Sequence, residues 1–282
     1  MFRPFLLVTA LIMSSTATSA KICLVSGANK GIGKEIARKL TENGCEVILG
    51  CRNEDLGRAA ARELGDHAHF VRLDLADGQS IAAAQEEIQQ KYGRLDVLVN
   101  NAAIAYKNSD PTPFQQQAAP TMKVNFFGTL DVTKAMLPLL AKSTDPRIVN
   151  VASMAGHLDI LPSKDRRAVF ESASTTLTVP QLESLMHEFV DDVEKGRHSQ
   201  KGWPNSNYGM SKLGVIALTK VLARDEPAVL INACCPGYCD TDMTSHRGTK
   251  TAEQGARTPA LLALTSDKFS GMFYQDEKPI KW

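Results

Sequence analysis

Tyr208 and Lys212 stand four positions apart in Tyr208-Gly209-Met210-Ser211-Lys212. On a helix that spacing puts a phenol and an ammonium on one face. A phenol with a pKa near 10 is a poor acid-base group at neutral pH. A cation beside it favours the phenolate, so the pairing predicts a Tyr208 pKa brought down toward working range. Such a pair is common by chance, and its weight comes from what surrounds it. Ser153 closes the run Asn150-Val151-Ala152-Ser153, which has strand composition. A serine at the carboxyl end of a parallel strand faces the crevice where such sheets bind ligands. A hydroxyl and a phenol there can polarise a carbonyl oxygen and protonate it.

A second constellation lies near the start. The run Ser26-Gly27-Ala28-Asn29-Lys30-Gly31-Ile32-Gly33 follows an apolar stretch and opens a helical pattern. Glycines there let the backbone turn tightly and approach a pyrophosphate, whose charge is favoured at a helix N-terminus. The spacing is G-x-x-x-G-x-G, distinct from the dinucleotide fingerprint that begins G-x-G. The next apolar run ends Gly50-Cys51-Arg52. At that point NAD-binding proteins place a carboxylate on the ribose hydroxyls. Arg52 offers instead a planar fork suited to a 2′-phosphate, with Lys30 as a second cation for the same group. The expected cofactor is NADPH/NADP.

These residues need a scaffold that brings strand ends together. Apolar runs at 22–26, 45–49, 69–73, 95–99, 147–151 and 229–234 have strand length and are nearly continuous in hydrophobicity, as strands buried on both faces should be. Helical patterns fill 31–42, 54–64, 79–92, about 121–142 and 207–225. This alternation predicts a doubly wound parallel sheet of Rossmann type in three α/β/α layers. Residues 157–206 break the rhythm. They contain one amphipathic helical segment, roughly Pro180 to Lys195, with Leu182, Leu185, Met186, Phe189 and Val193 at helical spacing. The stretch is too long for an idle loop and reads as a helical insertion in a single domain spanning 21–282.

Composition narrows the partners. A formal net charge of +1, with 22% charged and 43% hydrophobic residues, lacks the basic excess of a nucleic-acid binder. The substrate is expected to be a small molecule, with no stable membrane association. The six cysteines, Cys23, Cys45, Cys51, Cys234, Cys235 and Cys239, show no zinc or redox spacing. They read as reduced thiols of a reducing compartment, the cytoplasm, although Cys234 or Cys235 could also serve as a redox-sensitive group. Residues 1–20 point elsewhere: Arg3, an apolar run from Pro4 to Met13 and a small polar end have the layout of a secretory signal. The alternative is that Met13 is the start and a short tail precedes the first strand.

The glycine spacing, Asn100-Asn101-Ala102-Ala103 and the Tyr208/Lys212 pair together resemble the short-chain dehydrogenase/reductase family over essentially all of residues 21–282. The resemblance implies that Asn125, in Val124-Asn125-Phe126-Phe127-Gly128, joins Ser153, Tyr208 and Lys212 in a catalytic tetrad. Asn125 would then position a water and Lys212 for a proton relay. It implies adenine contacts from Asp74 and Leu75, and further cofactor contacts from Gly27, Asn29, Gly31, Ile32, Gly33, Asn101 and Ala102. Pro236, Gly237 and Thr241 would meet the nicotinamide carboxamide. Tyr208 and Lys212 are cofactor contacts as well, Lys212 at the nicotinamide ribose. Ser153 precedes Tyr208 by 55 positions, far more than in most of the family. That gap resembles the monomeric carbonyl reductase branch and implies a monomer acting on ketones, aldehydes or quinones. Tyr238 stands where that branch commonly has Trp, and Ala155 takes a position expected to line the substrate pocket. An NADP-dependent alcohol dehydrogenase working oxidatively and a catalytically silent NADP(H)-binding regulator are the rival readings.

Overall fold

In the computed structural model the described residues are 20–107 and 109–282; the signal-like reading of residues 1–20 falls almost wholly outside them. The first half runs β1 (Ile22–Ser26), α1 (Gly31–Glu42), β2 (Glu46–Cys51), α2 (Glu54–Leu64), β3 (Ala68–Arg72), α3 (Gly78–Tyr92) and β4 (Val97–Asn100). Then come α4 (Phe114–Met122), α5 (Thr129–Leu140), β5 (Arg147–Val151), α6 (Lys164–Glu171), α7 (Val179–Glu194) and α8 (Asn207–Asp225). The chain closes with β6 (Leu230–Cys235), α9 (Ala252–Gly255), α10 (Arg257–Leu264), β7 (Phe273–Gln275) and β8 (Lys278–Ile280).

The strands form one sheet in the order β3-β2-β1-β4-β5-β6-β7-β8, parallel except for the last pair. Strand order reverses between β1 and β4, which opens a crevice at their carboxyl ends. Successive strand residues feed opposite cores. Leu24, Ile48, Leu98 and Ile148 pack on one side with α3, α5 and α8. Val25, Leu49, Val99 and Val149 pack on the other with α1 and α10. Both faces are therefore apolar, which explains the continuous hydrophobic runs.

Two elements differ from the sequence expectation. The helix expected over 121–142 is two α-helices joined by a single π-turn, Lys123–Gly128, with Asn125 inside it. Such wide turns rotate the following helix and often mark functional positions. The run at 229–234 is also not the last strand, because β7 pairs with β6 in parallel and β8 returns antiparallel. The segment expected as helix from Pro180 to Lys195 is α7, started by a Thr178/Gln181 capping box. Leu182, Met186, Phe189 and Val193 are buried in the core. Trp203 is buried against Phe189, and its indole donates to Asp192 at 2.9 Å.

Candidate active site

The turn after β1 is held by one hydroxyl. Ser26 Oγ accepts the backbone N–H of Asn101 and of Ala102, both at 3.0 Å, and so ties β1 to the end of β4. Asn101 Nδ2 donates back to the Ser26 carbonyl at 2.9 Å and the Gly27 carbonyl at 3.3 Å. Asn101 thus braces the glycine loop with the side chain expected to meet the cofactor. Gly27 has φ +68°, and a Cβ there would lie 2.9 Å from the Ala102 Cα. At Gly33 an added Cβ would sit 2.4 Å from the Gly27 carbonyl oxygen, so glycine is required for α1 to start this close. Cys51, which spacing did not single out, lies under the loop against the N–H groups of Ala28 and Asn29.

The N-terminus of α1 has no side-chain cap and no acidic residue in its first turn. Helices α2, α3, α6, α7 and α8 each carry a capping side chain. Uncapped N–H groups and the positive helix end suit a pyrophosphate. Arg52 is exposed and makes no hydrogen bond or ion pair among the described residues. These features fit a dinucleotide with a 2′-phosphate.

Lys30 behaves otherwise than expected. Its ammonium is 2.6 Å from Asp242 Oδ2 in an exposed pair, and His246 contacts the same carboxylate. The loop after β6 brings that carboxylate within reach of the Lys30 ammonium. The same loop lays Thr241 against Gly31, where an added Cβ would be 3.4 Å from Thr241 Cγ2. Gly237 adopts φ +87° beside Pro236, so the β6 loop turns back over the glycine loop. Asp74 sits at the end of β3, where its carboxylate accepts Ala76 N–H at 3.0 Å. Leu75 beside it is buried.

Ser206 caps α8 by accepting Gly209 N–H at 2.9 Å, which starts the helix just before Tyr208. Tyr208 and Lys212 therefore lie on the first turns of α8, with the Lys212 ammonium 5.7 Å from the Tyr208 ring centroid. The phenol is half-buried and faces the Ser153 hydroxyl. Lys212 is buried and donates to the Val151 carbonyl at 2.7 Å, two residues ahead of Ser153. The end of β5 is thereby fastened to α8.

The electrostatics correct the expectation of a lowered phenol pKa. Burial pushes Tyr208 up to about 12; the neighbouring Cys235 acts in the same direction, and Ser153 only partly opposes them. Burial also pulls Lys212 down to about 8. Desolvation outweighs the expected cation effect because Lys212 directs its charge at a carbonyl rather than at the phenol oxygen.

Asn125 lies at the back of this group. Its Oδ1 accepts Ile104 N–H at 2.8 Å, and its Nδ2 donates to the Ile104 carbonyl at 2.9 Å and to Ser211 Oγ at 3.0 Å. Ser211 in turn donates to the Tyr208 carbonyl at 2.7 Å. Asn125 therefore reaches α8 through Ser211 and makes no direct bond to Lys212. No spacing signal marks Ser211 or Ile104, since both contacts depend on the π-turn. All six cysteines are free and buried. Burial raises the Cys234 thiol far above its ordinary range, which argues against a reactive thiolate there.

The sequence matches the short chain dehydrogenase family over residues 21–162 and 196–252. The unmatched stretch between them holds α6 and α7. Mouse (Mus musculus) carbonyl reductase (NADPH) 1 is 43% identical over 279 residues, covering 94% of this chain and 100% of that protein. Mouse carbonyl reductase (NADPH) 3 is 43% identical over 258 residues, covering 88% of this chain and 92% of its own. Among solved structures, salutaridine reductase from Papaver somniferum superposes with a TM-score of 0.85 at 30% identity, covering 90% of this chain and 99% of that one. With its glycine loop, reversed strand order and a Tyr/Lys pair facing the β5 serine, the chain belongs to the short chain dehydrogenase family.

Proposed function

We propose that this protein is an NADPH-dependent carbonyl reductase acting on small ketones, aldehydes or quinones. The observation that carries the reading is the Tyr208 phenol facing Ser153 at the strand-end crevice, kept protonated by burial. Its relatives named as NADPH carbonyl reductases support the same activity. When bound, NADPH supplies the hydride. Arg52 binds its 2′-phosphate, and Gly27, Asn29, Gly31, Ile32 and Gly33 cradle the pyrophosphate against α1. Lys30 joins Arg52 at the 2′-phosphate when it leaves Asp242. Asp74 and Leu75 hold the adenine end; Asn101, Ala102, Pro236, Gly237 and Thr241 line the nicotinamide end. Ser153 donates to the substrate oxygen and Tyr208 gives it a proton. Lys212 keeps positive charge behind the phenol and holds the β5 end through Val151. Asn125 fixes α8 through Ser211.

At neutral pH the Tyr208 phenol is protonated, the form needed to donate to a forming alkoxide. Met154, Tyr238 and Met243 are exposed on loops beyond β5 and β6, on the side where the sheet opens. Large apolar side chains there suit an apolar or aromatic carbonyl compound. Residues 157–206 are read as an insertion within one domain that favours a monomer; a stable tetramer by light scattering would refute this. Six buried free thiols suit a reducing, cytoplasmic setting, which mass spectrometry of the mature N-terminus checks. Among the described residues no helix is long and apolar enough to cross a membrane.

The direct test follows NADPH and NADH oxidation with menadione and isatin, comparing wild type with Tyr208→Phe. Turnover is expected with NADPH, with a roughly 10²- to 10⁴-fold loss of kcat in the variant. Equal turnover by the two proteins would remove Tyr208 from the chemistry.

A further inference from the structure

The last residue of the chain reaches the catalytic turn. After β7 and β8, the Trp282 indole Nε1 donates to the Gly156 carbonyl at 2.9 Å. Gly156 ends the short turn Met154–Gly156 that follows Ser153, and its own N–H donates to the Ser153 carbonyl at 2.9 Å. A single residue, Gly156, thus links the Trp282 indole to the backbone of the catalytic serine.

That turn is gripped from its other side as well. A Cβ on Gly156 would lie 2.5 Å from the Leu213 nitrogen and the Lys212 carbonyl carbon, so the turn rests directly on the backbone of α8. The indole packs on a small apolar cluster that includes Ala152, the residue before Ser153, together with Val215 and Ile216 of α8 and Phe273 of β7. The Lys220 ammonium lies 5.7 Å from its ring centroid, which adds a cation–π contact. The β7–β8 hairpin delivers a ring to the junction of Ser153 and the helix bearing Tyr208.

We propose that Trp282 is a positioning residue for Ser153. Its N–H bond to Gly156 holds the Ser153 turn against α8 and so sets the approach of the Ser153 hydroxyl to the Tyr208 phenol. The inference rests on the reductase reading above. A loosened turn moves the serine relative to the phenol without touching the glycine loop or Arg52. Misplacement of a reacting group by about an ångström can cost on the order of 10² in rate.

The test starts with wild-type turnover of menadione and isatin with NADPH; absence of turnover with both refutes the reductase reading and, with it, the role of Trp282. Trp282→Phe keeps a ring for packing and removes the N–H. It is expected to lower kcat roughly 10- to 100-fold while the KM for NADPH stays within about twofold. Trp282→Leu is expected to lose a similar factor, because neither side chain can donate. In a Ser153→Ala background, Trp282→Phe is expected to change the residual single-turnover rate by less than about twofold, since the residue it positions is gone. Three results overturn the proposal: wild-type kcat in Trp282→Phe, an equal loss in the Ser153→Ala background, or a loss confined to Trp282→Leu. The last would assign the indole to packing alone.

Discussion

Replacing Arg52 separates the cofactor reading from the rest. Its guanidinium is exposed, it follows the last residue of β2, and it has no partner among the described residues. Arg52→Ala therefore breaks no internal contact and is expected to shift stability by no more than about 0.5 kcal/mol. A charge-assisted hydrogen bond contributes about 1.5–3 kcal/mol, which corresponds to roughly 10- to 150-fold in affinity. Exposure to solvent places Arg52 toward the lower end, and raising ionic strength should shrink the effect further. The expected result is a KM for NADPH raised about 10- to 50-fold, with the KM for NADH nearly unchanged. Lys30→Ala should have a smaller effect, because its ammonium already sits 2.6 Å from Asp242. Asp242→Asn should free Lys30 and tighten NADPH binding. Steady-state kinetics with each cofactor at saturating isatin measure all of this. If Arg52→Ala raises both KM values by the same factor, Arg52 does not read the 2′-phosphate and the selectivity reasoning fails.

The pH profile and Asn125 supply two further predictions. Lys212 has its pKa pulled down to about 8 by burial, so its charge is present below that pH and lost as pH rises through it. The kcat/KM for carbonyl reduction should therefore fall above about pH 8, while Tyr208, pushed up to about 12, stays protonated throughout; a flat profile from pH 7 to about 10 would separate Lys212 from the rate. Asn125→Ala strips partners from both backbone groups of Ile104 and from Ser211. Leaving them unpaired should cost about 1–3 kcal/mol and lower the melting temperature by several degrees, which differential scanning calorimetry would detect. An unchanged melting temperature would show that water replaces the amide without cost.

The sequence by itself determined the scaffold and the main chemistry-bearing positions. Runs such as Ile22–Ser26 and Arg147–Val151 carry apolar residues at both even and odd positions, and a strand covered on both faces accommodates that pattern. The Tyr208/Lys212 face and the glycine loop were legible because helix periodicity and backbone sterics act locally. The closing hairpin was not. β7 and β8 have three residues each, too few for a period, and their two-residue turn at Asp276 and Glu277 has positive φ at both positions without Gly or Asn to announce it. The tertiary structure alone decided which charges meet and which groups lose water. It gave Lys30 to Asp242, turned Asn125 toward Ser211 through a π-turn, and brought Trp282 to Gly156 across 126 positions of sequence. It also reversed the expected direction at Tyr208. A phenol's pKa depends on the solvent removed around it as well as on the nearest cation, and burial is set by every element that packs against α8.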